Sequence, residues 1–200
     1  MNYVVIPARW SSSRLPGKPL KKIGSKPMIQ WVYESCRKSD ADFIFIATDS
    51  EKIRDQVLEF NGQVIMTSVD HKTGTDRIHE AITKINCHEE DLIINVQGDE
   101  PFISHDDINT LIDNYNDDFE MATLYKELKK EDTDDTNVVK ISVTDNIATS
   151  FSRGFKSSNS IYHHLGIYAY RCEFLKKFVK YEQSENEIRE SLEQLRALDN

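Results

Sequence analysis

The chain has 200 residues, of which 38% are hydrophobic and 30% are charged, and its formal net charge is −9 at pH 7. This length is ample for one domain with a sizeable hydrophobic core. The acidic balance argues against a nucleic-acid surface, because duplex binding depends on clustered lysine and arginine.

The three cysteines, Cys36, Cys87 and Cys172, are far apart in the chain. They have no CxxC or Cys/His spacing, which favours free thiols in a reducing compartment over a zinc site. The N-terminal apolar run is too short for a signal peptide, and no run approaches the length of a membrane span. We therefore expect a soluble, cytoplasmic protein that has neither nucleic acid nor a membrane as its partner.

Apolar runs alternate with helical patterns through the first half of the chain. The apolar runs predict strands over 2–7, 43–47, 64–66 and 92–96. Helical spacing predicts helices over 27–38, 51–60, 75–85 and roughly 104–115. Ser104 and Asp107 form a capping box at the start of the last helix. This strand–loop–helix order is typical of a parallel sheet with helices on both faces.

The second half has strand-like runs without long helices between them. These runs are 121–125, 138–143 and 165–170. They predict a mixed or antiparallel extension of the sheet. Helical patterns follow over 171–180 and 187–198. The acidic run 131–135 is interpreted as a solvated loop rather than a metal site.

The loop after the first strand carries three cations, Arg9, Arg14 and Lys18. In open α/β sheets, phosphate-bearing ligands bind at the carboxyl ends of the strands, and arginine and lysine donate to phosphate oxygens. The alternative is a flexible, solvated surface loop, although Pro16 and Pro19 stiffen the segment. The loop lacks the GxxxxGK[ST] and GxGxxG patterns, which disfavours classical ATPases and dehydrogenases.

Asp99 follows the largely apolar strand 92–96, with Gly98 before it and Pro101 after it. A carboxylate at this edge faces the crevice of the sheet and can hold magnesium together with substrate phosphates. The alternative is an ordinary turn aspartate after a strand. Position alone leaves both interpretations open.

Six stretches of sequence together point to one family. In chain order they are VVIPARWSSSRLPGKPL (4–20), IATDSEKI (46–53), DHKTGTDRI (70–78), IINVQGDEPFI (93–103), HLGIYAYR (164–171) and LEQLRAL (192–198). RLPGKPL alone indicates only a sugar-activating nucleotidyltransferase. With the other stretches, the chain resembles the CMP-Kdo synthetases, the 3-deoxy-manno-octulosonate (Kdo) cytidylyltransferases of Gram-negative bacteria.

The resemblance implies a Rossmann-like, three-layer α/β nucleotidyltransferase domain with a mixed central sheet and a small β extension. It implies a single domain over 1–200, with a nucleotide-binding half at roughly 1–118 and a sugar-binding and dimerisation half at 119–200. The implied enzyme is a homodimer that uses Mg²⁺ and joins CTP to Kdo, giving CMP-Kdo and pyrophosphate for lipopolysaccharide biosynthesis. Positioning of the two substrates and neutralisation of the phosphate charge would supply most of the reduction of the activation barrier.

The resemblance also implies a role for individual residues. The nucleotide-binding residues are Ala8, Arg9, Arg14, Lys18, Thr73, Gly74, Arg77 and Gln97. The catalytic residues are Arg14, Lys18 and Asp99, with Asp99 as the metal ligand. The sugar-binding residues are Gln97, His164, Tyr168, Glu193 and Gln194. Without the resemblance, Tyr168 would be interpreted as a core residue, and Glu193 and Gln194 as an exposed helix face.

Two departures from the family pattern bear on the substrate and on turnover. The connection 154–162 is shorter than the usual family loop, which makes an amino-substituted octulosonate conceivable. The sequence ends at Asn200, soon after LEQLR, where family members continue through a tail that carries a second metal-binding aspartate. We therefore expect the fold to persist and CTP binding to be more robust than turnover.

Three alternative functions follow from these observations. One is a cytidylyltransferase for another acidic sugar, such as amino-Kdo or a sialic acid. Another is a truncated, catalytically impaired CTP-binding protein, which would bind CTP without releasing pyrophosphate. A dehydrogenase is the remaining alternative, and failure to bind NAD would exclude it.

Overall fold

The computed structural model describes residues 1–11, 15–154 and 161–200. Within these ranges the strands are β1 (Asn2–Ala8), β2 (Lys22–Ile23), β3 (Lys26–Pro27), β4 (Phe43–Thr48), β5 (Val64–Met66), β6 (Leu92–Val96), β7 (Met121–Glu127), β8 (Lys140–Thr144), β9 (Ile147–Ser152) and β10 (Ile161–Arg171). The α-helices are α1 (Met28–Cys36), α2 (Glu51–Glu59), α3 (Gly74–Lys84), α4 (His105–Asn114), α5 (Cys172–Phe178), α6 (Glu185–Glu190) and α7 (Leu195–Asp199). Short 3₁₀ helices lie at Lys18–Leu20 and Lys130–Asp132.

The chain forms two compact units. The first unit contains Met1–Ala122 and Ile167–Val179, and the second contains Thr123–Gly166 and Lys180–Asn200. The second part of β10 and helix α5 thus belong to the first unit. In the described part of the chain, no helix is long and apolar enough to cross a membrane.

The first unit is built on a mixed sheet with the strand order β5-β4-β1-β6-β10. The first four of these strands are parallel, and β10 is antiparallel to β6. All five residues of β6 are buried, as expected for a strand that is covered on both faces. The predicted α/β class with a mixed sheet is confirmed.

Three helices of the first unit, α2, α3 and α4, begin at a serine or threonine whose side chain caps the helix N-terminus. The Ser50 side chain accepts a hydrogen bond from the Ile53 N–H at the start of α2. Thr73 with Asp76 and Ser104 with Asp107 form capping boxes at the starts of α3 and α4. These side chains satisfy backbone N–H groups that have no partner within the helix. The capping box predicted at Ser104 is confirmed.

The second unit contains a meander in the order β10-β8-β9, built from the first part of β10. β8 and β9 are joined at Asp145 and Asn146, which have φ values of 51° and 62°. Two consecutive residues with positive φ are typical of a type I′ hairpin. The strand β9 was not predicted, because its polar residues obscure the alternation of apolar and polar side chains that is typical of a strand. The Asp145-Asn146 pair before it was a turn signal that the sequence offered.

The single helix predicted over 187–198 is wrong. The segment forms two short helices, α6 and α7, and α6 ends at Ser191 in the left-handed conformation with φ 54°. This break allows Leu192 and Leu195 to pack in the core of the second unit against Ile141 and Phe151. The chain is therefore broken at Ser191 rather than continuously helical, and both leucines are buried in the same core.

Candidate active site

The carboxyl ends of β1 and β6 approach each other closely at two glycines. A Cβ atom at Gly98 would lie 2.8 Å from the Pro7 carbonyl oxygen, and one at Gly74 would lie 3.3 Å from the Pro7 Cγ. The backbone after β6 and the first residue of α3 therefore both lie against Pro7. This packing brings Ala8, Gly74 and Gln97, which were predicted separately from the sequence, to one edge of the first unit.

The first loop, residues 9–18, leads from β1 to the 3₁₀ helix at Lys18. Arg9 is exposed, and the predicted Arg14 lies outside the described residues. The Lys18 Nζ lies 2.6 Å from Asp99 Oδ2, with 36% of the lysine side chain and 51% of the aspartate side chain exposed. A residue of the first loop and the carboxylate after β6 therefore meet at this edge.

Asp99 has the chemistry of a magnesium ligand. Its carboxylate is half-exposed and offers the hard oxygen atoms that Mg²⁺ prefers. Within the described ranges, no group of three or more His, Cys, Asp or Glu side chains converges as a metal site. Magnesium in nucleotide enzymes is commonly held by one or two carboxylates with substrate phosphates. The Asp99 carboxylate therefore fits a divalent cation that binds together with the nucleotide.

The predicted nucleotide residues at the start of α3 already have protein partners. The Thr73 hydroxyl accepts a hydrogen bond from the Asp76 N–H and caps the helix. Arg77 is buried and donates to Asp49 Oδ2 at 2.8 Å and to the Ser68 carbonyl at 3.2 Å. The guanidinium of Arg77 thus holds protein groups together. The sequence analysis missed Asp49, whose signal was its position directly after β4.

The segment before α3 is held by Glu80, which was also missed. The Glu80 carboxylate accepts hydrogen bonds from the Ser68 N–H at 2.8 Å and from His71 Nε2, and pairs with Lys84 Nζ at 2.7 Å. Burial opposes ionisation of Glu80, but the hydrogen bonds from Lys84, Ser68 and His71 outweigh it and lower its pKa to about 2. An ionised carboxylate therefore anchors the segment that leads to Thr73.

His164, predicted to bind sugar, is a buried residue of the second unit. Its Nε2 lies 2.9 Å from the Thr123 Oγ1, and its ring packs edge-on against Phe151. Burial, reinforced by the neighbouring His163, lowers the pKa of His164 to about 3. His164 is therefore a neutral imidazole at physiological pH.

The other predicted sugar residues have different surroundings. In the second unit, Glu193 Oε1 lies 3.6 Å from Arg196 Nη2, and Gln194 is buried directly before α7. In the first unit, Tyr168 lies opposite Asn95 in the pairing of β10 with β6. The Gln97 Nε2 donates to Asn95 Oδ1 at 3.1 Å. Asn95 therefore connects Gln97 to the strand position opposite Tyr168.

Comparisons with known proteins match nearly the whole chain. A family model described as cytidylyltransferase matches residues 3–200. A 3-deoxy-manno-octulosonate cytidylyltransferase of Photobacterium profundum is 44% identical, over 98% of this chain and 85% of that protein. An 8-amino-3,8-dideoxy-manno-octulosonate cytidylyltransferase of Shewanella frigidimarina is also 44% identical, over 98% of this chain and 85% of that protein.

A solved structure has the same fold. It is a CMP:2-keto-3-deoxy-manno-octonic acid synthetase complexed with CTP, with a TM-score of 0.91 and 39% sequence identity. The match covers 99% of this chain and 85% of that structure.

Proposed function

This chain belongs to the cytidylyltransferase family, and from that premise we propose that it activates Kdo with CTP. The anomeric hydroxyl oxygen of Kdo attacks the α-phosphorus of CTP. The bond from this phosphorus to the oxygen that bridges the α- and β-phosphates breaks, and pyrophosphate leaves. The hydroxyl proton passes to solvent, and the products are CMP-Kdo and pyrophosphate.

The observation that carries the proposal is the contact between Lys18 Nζ and Asp99 Oδ2. A triphosphate at this edge would give the ammonium a stronger anionic partner, so that Lys18 turns from the carboxylate to the phosphates. Asp99 would then be free to hold a divalent cation. Lys18 would offset the charge that develops on the leaving pyrophosphate, which is the largest electrostatic demand of this reaction.

The cation is Mg²⁺ in this proposal, because magnesium combines carboxylate and phosphate ligands. When bound, it supplies charge neutralisation at the phosphate oxygens. The remaining nucleotide contacts come from Ala8, Arg9, Arg14, Thr73, Gly74 and Gln97. Arg77 contributes by holding the groups around it, since its guanidinium is bound to protein atoms.

The sugar residues of the proposal are Gln97, His164, Tyr168, Glu193 and Gln194. The neutral, buried His164 would support the sugar site through a fixed hydrogen bond to Thr123 rather than through charge. Resemblance to the family is the support for a homodimer and for a cytoplasmic location.

The 8-amino derivative of Kdo is the second candidate substrate. Relatives named for Kdo and for 8-amino-3,8-dideoxy-manno-octulosonate are equally similar to the chain. The short connection 154–162 is the feature of the sequence that favours an altered octulosonate.

The experiment that tests the proposal measures pyrophosphate release from CTP and Mg²⁺ with each sugar separately. The sugars are Kdo, 8-amino-3,8-dideoxy-manno-octulosonate and a sialic acid, with a no-sugar control. Release with Kdo at the highest kcat/KM is the expected result. A higher kcat/KM with the amino sugar would instead assign 8-amino-3,8-dideoxy-manno-octulosonate as the substrate. A folded protein that binds CTP without release on any sugar would contradict both.

A further inference from the structure

A buried carboxylate, that of Asp49, connects the first loop to helix α3. Asp49 Oδ1 accepts a hydrogen bond from the Trp10 N–H at 3.2 Å, and Oδ2 accepts one from Arg77 Nη2 at 2.8 Å. The side chains of Asp49 and Arg77 are only 7% and 3% exposed. Breaking a buried, charged hydrogen bond leaves a partner unsatisfied, which makes this bridge stiff.

Trp10 joins the two ends of the first loop. The Gly17 N–H donates to the Trp10 carbonyl at 2.9 Å, and a Cβ at Gly17 would lie 3.0 Å from the Trp10 ring. Gly17 has φ +67°, a conformation that glycine adopts without strain. Lys52 Nζ lies 4.7 Å from the centre of the Trp10 ring. The next residue after Gly17 is Lys18, which contacts Asp99.

We propose that Asp49 is a positioning residue for the triphosphate of CTP. Through the Trp10 N–H and the Trp10–Gly17 contact, Asp49 sets the position of the loop that presents Lys18. Through Arg77, the same carboxylate fixes that loop relative to the start of α3. This inference rests on the proposed function, because it requires CTP to bind at this edge.

The chain offers a matched control at the opposite end of the parallel strands. Asp91 precedes β6, is 6% exposed at its side chain, and accepts from the Met1 amine at 2.9 Å and from the His88 N–H at 2.7 Å. It therefore has one charged partner and one backbone partner, like Asp49. The substitution Asp91→Asn removes a comparable buried charge without touching the first loop.

The test measures CTP dissociation constants by calorimetry and Tm for the wild type, Asp49→Asn and Asp91→Asn. We expect Asp49→Asn to weaken CTP binding at least tenfold and Asp91→Asn to change it less than twofold, with both lowering Tm. In a Trp31→Phe background, Trp10 is the single tryptophan, since the chain has two. Asp49→Asn should then red-shift the emission of Trp10 and raise its quenching by acrylamide.

A second variant, Trp10→Ala, removes the packing of the Trp10 ring on Gly17 but keeps the Trp10 backbone groups and every buried charge, so it tests the step from Trp10 to Gly17 if Asp49→Asn does not fold. We expect it to weaken CTP binding several-fold with little change in Tm. Equal CTP affinity in Asp49→Asn and Asp91→Asn, or wild-type affinity in Trp10→Ala, would overturn the inference. A wild type that binds CTP without releasing pyrophosphate would overturn the proposed function alone, whereas a wild type that binds no CTP would overturn both.

Discussion

At the carboxyl ends of β1 and β6, the proposed site of the nucleotide, one ion pair is partly exposed and another is buried. Lys18 and Asp99 form a partly exposed pair, and such pairs contribute about 0–1 kcal/mol to stability. Arg77 and Asp49 form a buried pair, whose separation is costly. The exposed pair can therefore exchange partners when a nucleotide binds, while the buried pair stays fixed.

The first prediction at this scale concerns Lys18. The variant Lys18→Ala should weaken CTP binding roughly ten- to a hundredfold, the loss expected for one charge-assisted hydrogen bond worth about 1.5–3 kcal/mol. Its unfolding free energy should change by less than about 0.5 kcal/mol. Calorimetric titration with CTP and urea unfolding measure the two quantities. Lys22→Ala is the control, because Lys22 is an exposed lysine in the neighbouring strand β2; equal affinity in both variants would remove Lys18 from the site.

The second residue-scale prediction concerns pH. His164 is neutral in the folded chain because its pKa is lowered to about 3, whereas in the unfolded chain it takes up a proton below about pH 6.5. The unfolded state thus binds more protons between these values, so stability falls as the pH falls through this window. Between pH 6.5 and pH 5 the loss attributable to His164 is about 2 kcal/mol.

Urea unfolding at several pH values checks this expectation. His164→Asn should flatten the dependence between pH 6.5 and pH 5. An unchanged slope in His164→Asn would contradict the buried, neutral state of His164. The lowered pKa of Glu80 acts in a different window, since its contribution is lost only as the pH falls below about 4.5.

Among the elements, strands formed by largely apolar runs could be predicted from the sequence. Elements whose bounds depend on which residues reach the hydrophobic core could not. β6 is apolar at four of its five residues and is completely buried, so its sequence carries its structure. The strand β9 and the break at Ser191 depend on which residues reach the core of the second unit. Capping boxes are local patterns, which is why the start of α4 was recognised.

The candidate site shows the same division. Lys18 and Asp99 could be predicted because their charges follow strand ends, where parallel strands place their loops. The roles of Asp49 and Glu80 depend on partners 28 and 12 residues away in the chain. The position of Asp49 after β4 marks it as a candidate site residue, but the sequence does not show that Asp49 pairs with Arg77.

A prediction at the scale of elements follows from the packing of β6 against β1. Gly98→Ala would place a Cβ 2.8 Å from the Pro7 carbonyl oxygen, and overpacking of this kind costs about 1–3 kcal/mol. The strand ends should move apart, with weaker CTP binding as a consequence. Gly154→Ala is the control because a Cβ there meets no atom of the described residues within 4 Å. Equal stability of the two variants in urea would contradict the close approach of the strand ends.

For the whole molecule, nucleotide binding and folding are linked by mass action. A ligand at a hundred times its dissociation constant stabilises the folded state by about 2.7 kcal/mol, which raises Tm by roughly 5–10 °C for a chain of this size. CTP with Mg²⁺ should produce this shift, and ATP or GTP should produce less than half of it. Differential scanning calorimetry measures the shift. Equal shifts with all three nucleotides would contradict a site that selects cytidine.

The most direct test of the account compares the wild type with Asp99→Asn during turnover. With CTP, Kdo and Mg²⁺, the wild type should form pyrophosphate and CMP-Kdo in equal amounts, measured by ³¹P NMR. Asp99→Asn should keep the fold and bind CTP while its turnover falls by about a hundredfold or more, the usual loss when a charge-stabilising group is removed. Wild-type turnover by Asp99→Asn, or no CMP-Kdo from a folded wild type that binds CTP, would contradict the assignment of this edge as the cytidylyltransferase active site.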